Sequence, residues 1–146
     1  MTDLEATLTP AQLGEVLDRS PLFAGIGRPD ALAAVAAAQT VALPPDAILF
    51  TPGQVSVHLY LIVAGELIGS RDAAGRERIA RFVPGDCLGG PAMSVHSIPL
   101  TFILAKTRSQ LLVFDREATW NLIGSLPKVA ANLLRIQSLR PHMAVG

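Results

Sequence analysis

The sequence is poor in cysteine, in charged residues and in aromatic residues. Of its 146 residues, 1 is cysteine, 16% are charged and 5% are aromatic. A single cysteine, Cys87, excludes an internal disulfide, a structural zinc site made of cysteines, and an iron–sulfur cluster held by this chain alone. We expect Cys87 to be a small, half-buried hydrophobic residue, and a redox-sensing thiol is the alternative.

Excess charge of either sign and long hydrophobic runs are also absent. The 12 Lys and Arg residues balance the 12 Asp and Glu residues. This balance gives no sign of the basic surface that non-specific nucleic-acid binding needs, so no direct nucleic-acid partner is predicted. No run reaches the roughly 18 apolar residues of a membrane span. The start, MTDLEATL, is acidic and lacks the apolar region of a signal peptide, and we therefore expect a cytoplasmic protein.

Helix signals lie at both ends of the chain, and strand signals lie in the middle. Thr9 followed by proline predicts a helix over 10–19, and a second helix is predicted over 29–39. Short apolar runs separated by Pro, Gly and Asp turns then occupy 40–114, which is typical of a β-sandwich or barrel. With half of the residues hydrophobic, the chain has enough apolar side chains for a folded core, and disorder is excluded.

The last third of the sequence returns to helix signals. Asp115 is predicted to cap a helix that reaches about Gly124 and buries Trp120 and Ile123. Another helix is predicted from Pro127 onwards, and its apolar stripe comprises Val129, Leu133 and Ile136.

Four stretches carry a resemblance to a known family through their order and spacing. They are SPLFAGI (20–26), DAILFTPGQVSVHLYLIVAGELI (46–68), RFVPGDCLGG (81–90) and FDREATWNLIGSLPKVAANLL (114–134). Together they resemble a cyclic nucleotide-binding domain of the bacterial catabolite-activator and nitrogen-fixation-regulator type. The resemblance implies an α+β, mainly β fold, a jelly-roll-type β-barrel flanked by N-terminal and C-terminal helices.

The resemblance also implies a division of the chain. We expect a helical extension over 1–19, the cyclic nucleotide-binding-like domain over 20–140, and a tail over 141–146. Within the domain, the barrel is expected at about 40–114 and the C-terminal helices at about 115–140.

The phosphate-binding cassette of the family is only partly present. In the family, Phe-Gly-Glu-Leu/Ile-Ala supplies a glutamate for the ribose hydroxyl, and Pro-Arg-Ser/Thr-Ala supplies an arginine for the cyclic phosphate. Gly89, Ala92 and Thr101 match this pattern. Gly90 stands at the glutamate position and Leu100 at the arginine position. These five residues form a degenerate cassette. The loss of both charged partners predicts an affinity for the family's usual cyclic nucleotides that is weaker by about a thousandfold or more.

Two functions follow from the resemblance. The first is a non-enzymatic bacterial regulatory or sensor domain that acts through another small ligand or through protein association. The alternative is a true receptor for cyclic AMP, cyclic GMP or a cyclic dinucleotide that controls transcription or another output domain. The alternative requires a substitute cation inside the barrel, although most cations there are expected to be solvated. The candidates are Arg71, Arg76, Arg78, Arg81, Lys106 and Arg108.

Neither catalysis nor a bound metal or haem is predicted. His58, His96 and His142 show no metal-ligand spacing, and we expect them to be surface or hydrogen-bonded residues. No nucleophile elbow, phosphate loop or zincin helix is present. A weakly bound cyclic nucleotide is the only cofactor left open.

The last helix has two interpretations. In the family this helix often pairs with its twin in a dimer, and Val129, Leu133, Leu134 and Ile136 would then form a homodimer seam. The same face packing on the barrel is the equal alternative, since one apolar stripe falls short of a sustained heptad pattern. The output domain or partner protein is not identified.

Overall fold

Helices flank two antiparallel β-sheets in this chain. The computed structural model describes residues 8–36, 38–53, 57–89, 102–138 and 142–143. Along these residues, two α-helices with a short 3-10 helix between them come first. Eight strands, two further helices and a two-residue strand follow. This order confirms the predicted succession of helices, a β-rich unit and helices.

The N-terminal helices begin close to the predicted positions. Helix α1 spans Pro10–Arg19, and the Thr9 hydroxyl accepts a backbone N–H of its first turn. The 3-10 helix spans Pro21–Phe23, and helix α2 spans Arg28–Val35. Helix α2 ends earlier than predicted because the chain is already extended at Gln39, where the first strand begins.

The strands form two sheets that face each other. The strands are β1 Gln39–Leu43, β2 Ile48–Phe50, β3 Leu59–Ala64, β4 Leu67–Ser70, β5 Arg78–Phe82, β6 Cys87–Leu88, β7 Phe102–Ala105, β8 Ser109–Phe114 and β9 His142–Met143. One sheet has the strand order β1-β8-β3-β6 and the other β2-β7-β4-β5-β9. The jelly-roll prediction is confirmed, with one difference. In the described residues the strands make two separate sheets, not one closed barrel.

The four-stranded sheet is buried on both faces. In β3, Leu59, Leu61 and Val63 belong to the core under the helices, and Ile62 belongs to the core between the sheets. Successive side chains of a strand point to opposite faces. A strand that is covered on both sides therefore reads as a continuous apolar run, which explains LYLIVA in the sequence.

The C-terminal helices pack on the outer face of this sheet. Helix α3 spans Arg116–Ser125, and the Asp115 carboxylate caps it by accepting an N–H of its first turn. Helix α4 spans Pro127–Ser138. No helix in the described residues is long and apolar enough to cross a membrane.

The prediction that α3 buries Trp120 is wrong. Trp120 is 61% exposed, whereas Thr119 and Leu122 are buried, and Ile123 is half-buried against the same core. The inward stripe of α3 runs through Thr119 and Leu122, which are three residues apart on one helical face. Trp120 therefore projects away from that stripe.

Candidate functional site

A tight turn between β5 and β6 leads the chain towards the cassette. The Asp86 carboxylate accepts the N–H of Val83 at 2.8 Å. The Gly85 N–H donates to the Ile62 carbonyl at 2.8 Å, and the Ile62 N–H donates to the Asp86 carbonyl at 3.0 Å. Strand β6 then pairs with β3. The turn is therefore fixed both internally and to the central strand of the four-stranded sheet.

Gly89, the first residue of the predicted cassette, occupies a position that only glycine fits. Its φ is +80°, and a Cβ there would lie 2.5 Å from the carbonyl oxygen of His58. The rings of Phe50 and Tyr60 would each be 3.4 Å away. A side chain would need both a left-handed backbone and a displaced strand.

Of the five predicted cassette residues, the structure places Gly89 alone. Gly90, Ala92, Leu100 and Thr101 lie outside the described residues.

Phe50 and Tyr60 lie beside Gly89, and neither was predicted from the sequence to be a site residue. Their ring centroids are 5.6 Å apart with the planes at 81°, and the His58 ring lies 6.3 Å from that of Tyr60. Edge-to-face pairs of this kind add to packing. The alternation of side chains along β3 could have indicated Tyr60, because Tyr60 and the buried Ile62 lie on the same face of the strand.

The space between the two sheets is filled by apolar side chains from both. No charged side chain is buried in the part of the chain that the structure describes. The buried members of this inter-sheet core are Phe50, Ile62, Leu67, Ala80, Phe82, Leu88, Ile103, Ala105 and Leu111.

The six cations that could have replaced the missing arginine are all exposed. Glu66 pairs with Arg81 at 3.1 Å and with Lys106 at 3.9 Å. The Arg78 guanidinium donates to the Gly75 carbonyl. The exposed set is Arg71, Arg76, Arg78, Arg81, Lys106 and Arg108. The prediction that most of these cations are solvated is confirmed.

An acidic side chain organises the β4–β5 hairpin at the surface. The Asp72 carboxylate accepts the N–H of Glu77 at 2.8 Å and that of Arg76 at 2.9 Å, and it also accepts the Ser70 hydroxyl. Hydrogen bonds to the ionised form stabilise it, and they lower the pKa of Asp72 to about 2. The carboxylate therefore serves the hairpin and not the inter-sheet core.

Cys87 is half-buried as a residue, as predicted. Burial of its sulfur raises the pKa of the thiol, and the negative charge of Asp86 adds to the rise. A hydrogen bond with Ser20 opposes the shift without cancelling it. A thiol in this setting stays protonated, and a protonated thiol is a poor nucleophile.

The histidines do not form a metal cluster in the described residues. No group of three or more His, Cys, Asp or Glu side chains there is arranged to hold a metal ion. His58 lies beside Tyr60, His142 lies in β9, and His96 is outside the described residues.

Three of the four predicted dimer-seam residues of α4 lie against the chain's own core. Val129 is 0% exposed and Leu133 is 3% exposed, and Ile136 is half-buried beside them. This is the arrangement of the alternative interpretation, in which the stripe packs on the β-sheet. Leu134, on another face of α4, is 68% exposed. A homodimer through α4 stays a prediction and would need that outer face.

Comparison with models of protein families shows to which family the chain belongs. The model of the family described as "Cyclic nucleotide-binding domain" matches residues 40–125, which is more than half of the chain. The chain belongs to this family. The cyclic nucleotide-binding domain family is typically regulatory, and this membership confirms the resemblance found in the sequence.

Solved structures agree with this assignment. The catabolite activator protein of Thermus thermophilus is 27% identical with a TM-score of 0.66, over 80% of this chain and 56% of that one. The N-terminal domain of a transcriptional regulator from Streptomyces coelicolor A3(2) is 26% identical with a TM-score of 0.63, over 83% of this chain and 85% of that one. This cyclic nucleotide-binding domain therefore spans about half the length of the Thermus protein.

A third structure is similar in fold alone. The sensor domain of the regulator DNR from Pseudomonas aeruginosa is 19% identical with a TM-score of 0.61, over 86% of each chain. No curated protein matches the sequence significantly.

Proposed function

We propose that this chain is a non-enzymatic bacterial regulatory domain whose cassette does not hold a cyclic phosphate by charge pairing. The observation that carries the proposal is the all-apolar core between the sheets, together with the exposure of all six candidate cations. A cyclic nucleotide brings a negative charge, and a buried charge without a partner costs several kcal/mol. Gly90 and Leu100, at the positions of the family's two charged partners, point the same way.

The regulatory output then rests on protein association in preference to a charged ligand. Trp120 on α3 is 61% exposed and Leu134 on α4 is 68% exposed. Aromatic side chains such as that of Trp120 are enriched at the centres of protein–protein interfaces. Cytoplasmic location and control of an output domain in the same or another chain belong to this proposal.

The test is thermal unfolding with millimolar cyclic AMP, cyclic GMP or cyclic di-GMP. We expect no shift of Tm for the natural chain. The double variant Gly90→Glu/Leu100→Arg restores both charged partners, and its Tm should rise by a few degrees with cyclic AMP or cyclic GMP. A ligand at 100 times its Kd adds about 2.7 kcal/mol to the free energy of unfolding.

The matched control is Gly90→Gln/Leu100→Met, which changes side-chain size at both positions without adding charge. It should show no shift with any of the three nucleotides. A clear shift in the natural chain would contradict the proposal, because it would require contacts other than the two missing partners.

A true cyclic nucleotide receptor is the second candidate, and one observation favours it. Gly89 keeps the left-handed backbone and the close approach to His58 that a tight cradle needs. Backbone N–H groups at such a turn can bind an anion without a cation. The same titration separates the candidates, since only the receptor predicts a shift in the natural chain.

A further inference from the structure

Two buried polar side chains join elements that are distant in the sequence. The Ser20 hydroxyl donates to the Gly85 carbonyl at 2.7 Å and accepts the Leu22 N–H at 3.2 Å. The Asn132 amide donates to the carbonyls of Leu22 at 2.8 Å and Ala24 at 3.0 Å. Ser20 is 2% exposed and Asn132 is 4% exposed.

Both side chains use their donors fully. A serine hydroxyl has one proton and two lone pairs. Its proton goes to the Gly85 carbonyl, and one of its lone pairs accepts the Leu22 N–H. Asn132 commits its amide nitrogen to two carbonyls. Because Ser20 and Asn132 are almost fully buried, moving one partner away leaves another polar group buried and unpaired.

The two side chains act in series through the 3-10 helix Pro21–Phe23. Asn132 attaches one side of this helix to α4, and Ser20 attaches its beginning to the turn that precedes β6. That turn ends three residues before Gly89, and it is bonded to β3 through Gly85 and Asp86. A continuous path of buried hydrogen bonds therefore runs from α4 to the start of the cassette.

We propose that Asn132 and Ser20 are positioning residues that link α4 to the cassette entrance. Asn132 fixes the position of the 3-10 helix relative to α4, and Ser20 fixes the position of the turn 83–86 relative to the 3-10 helix. A partner that displaces α4, which carries the exposed Leu134, would thereby change the support of Gly89. The proposal deepens the proposed function, on which the role of such a partner rests.

The experiment is backbone amide hydrogen exchange on the full chain without ligand. The reporter amides are those of Gly85 and Asp86, which are hydrogen-bonded to Ile62 and Val83. In Asn132→Ala, we expect exchange at these amides to accelerate by about tenfold or more, while amides of β4 and β7 change by about twofold or less. Asn132 touches neither reporter, so a local effect cannot produce this pattern.

The matched control is Thr119→Val. Thr119 is also a buried polar residue of the C-terminal helices, and its hydroxyl bonds only the nearby carbonyls of Phe114 and Asp115. Thr119→Val therefore lowers stability without breaking the proposed link between α4 and the cassette entrance. If Asn132→Ala accelerates exchange at Gly85 and Asp86 no more than Thr119→Val does, the proposal is wrong.

Variants at Ser20 test the link from its other end. Ser20→Ala should accelerate exchange at Gly85 and Asp86, and Ser20→Thr, which keeps the hydroxyl, should restore most of the protection. Two hydrogen bonds on one path have effects that do not add independently. Exchange at Gly85 and Asp86 in the double variant Ser20→Ala/Asn132→Ala should therefore be faster than in the faster single variant by about twofold or less. An acceleration in the double variant that equals the product of the two single-variant accelerations would overturn the proposal.

Because the experiment needs no ligand, its result is independent of the nucleotide titration. If Asn132→Ala does not fold, Ser20→Ala with its threonine rescue decides alone. Absence of acceleration in Ser20→Ala would then contradict the link.

Discussion

The two cores on either side of the four-stranded sheet are built differently. The core under the helices contains Ser20, Thr119 and Asn132, each bonded to backbone carbonyls. The core between the sheets is apolar, and the buried hydroxyls of Ser70 and Ser109 bond within or beside the hairpin loops at its margin. Hydrogen bonds fix direction as well as distance, whereas apolar contacts fix only volume. The helices are therefore positioned by specific hydrogen bonds as well as by apolar packing, and among the described residues no charged side chain is buried between the sheets.

Gly89 at the margin of the inter-sheet core gives the largest expected effect. Gly89→Ala should lower the free energy of unfolding by about 2–5 kcal/mol, from left-handed backbone strain together with a Cβ against the His58 carbonyl. Gly53 is the matched control, since its φ is +76° and no atom of the described residues lies within 4 Å of its Cβ position. Gly53→Ala should cost about 1–2 kcal/mol.

Urea unfolding of the two glycine variants measures both values. Equal losses would mean that the surroundings of Gly89 yield to a methyl group, and that this margin of the core is loosely packed.

Two substitutions by leucine compare the cores directly. Asn132→Leu keeps the branched shape of the side chain but removes the donor from the carbonyls of Leu22 and Ala24, and it should cost about 2–3 kcal/mol. Ile103→Leu, in the inter-sheet core, should cost less than about 1.5 kcal/mol because apolar cores repack. Chemical denaturation of both variants tests the comparison. A larger loss for Ile103→Leu would reverse it.

The smallest effect on stability is expected in the β4–β5 hairpin, where polar groups cluster around Asp72 at the surface. The pKa of Asp72 is about 2 in the fold against about 4 in an unfolded chain. Its contribution to stability is therefore complete above about pH 4 and is lost as the pH falls towards 2. The difference in Tm between the natural chain and Asp72→Asn should shrink across this window. A difference that stays constant from pH 5 to 2 would contradict the role of the ionised carboxylate.

Local signals predicted the helix starts and the strand region. Thr9 with Pro10 and Asp115 mark helix beginnings because their caps are formed within one turn of chain. The apolar runs from residue 40 to 114 marked the strands because each run is a short local pattern bounded by turn residues. The end of α2 was placed too late, since the start of β1 is set by its pairing with β8, which lies far along the chain.

The site was less accessible to sequence reasoning. Gly89 was found through the family pattern, whereas Phe50 and Tyr60 come to its side only when β2 and β3 pack together. Trp120 was expected inside because it is large and apolar, yet the inward face of α3 is set by Thr119 and Leu122.

The sequence by itself determined the family, the succession of elements and the loss of the two charged cassette residues, because each depends on residues close together in the chain. Only the tertiary structure decided that the six cations point outward, that Val129 and Leu133 are buried, and that Ser20 and Asn132 meet the same 3-10 helix. These facts depend on which elements pack together, and residue types at a distance of about 100 positions carry no local signal of that contact.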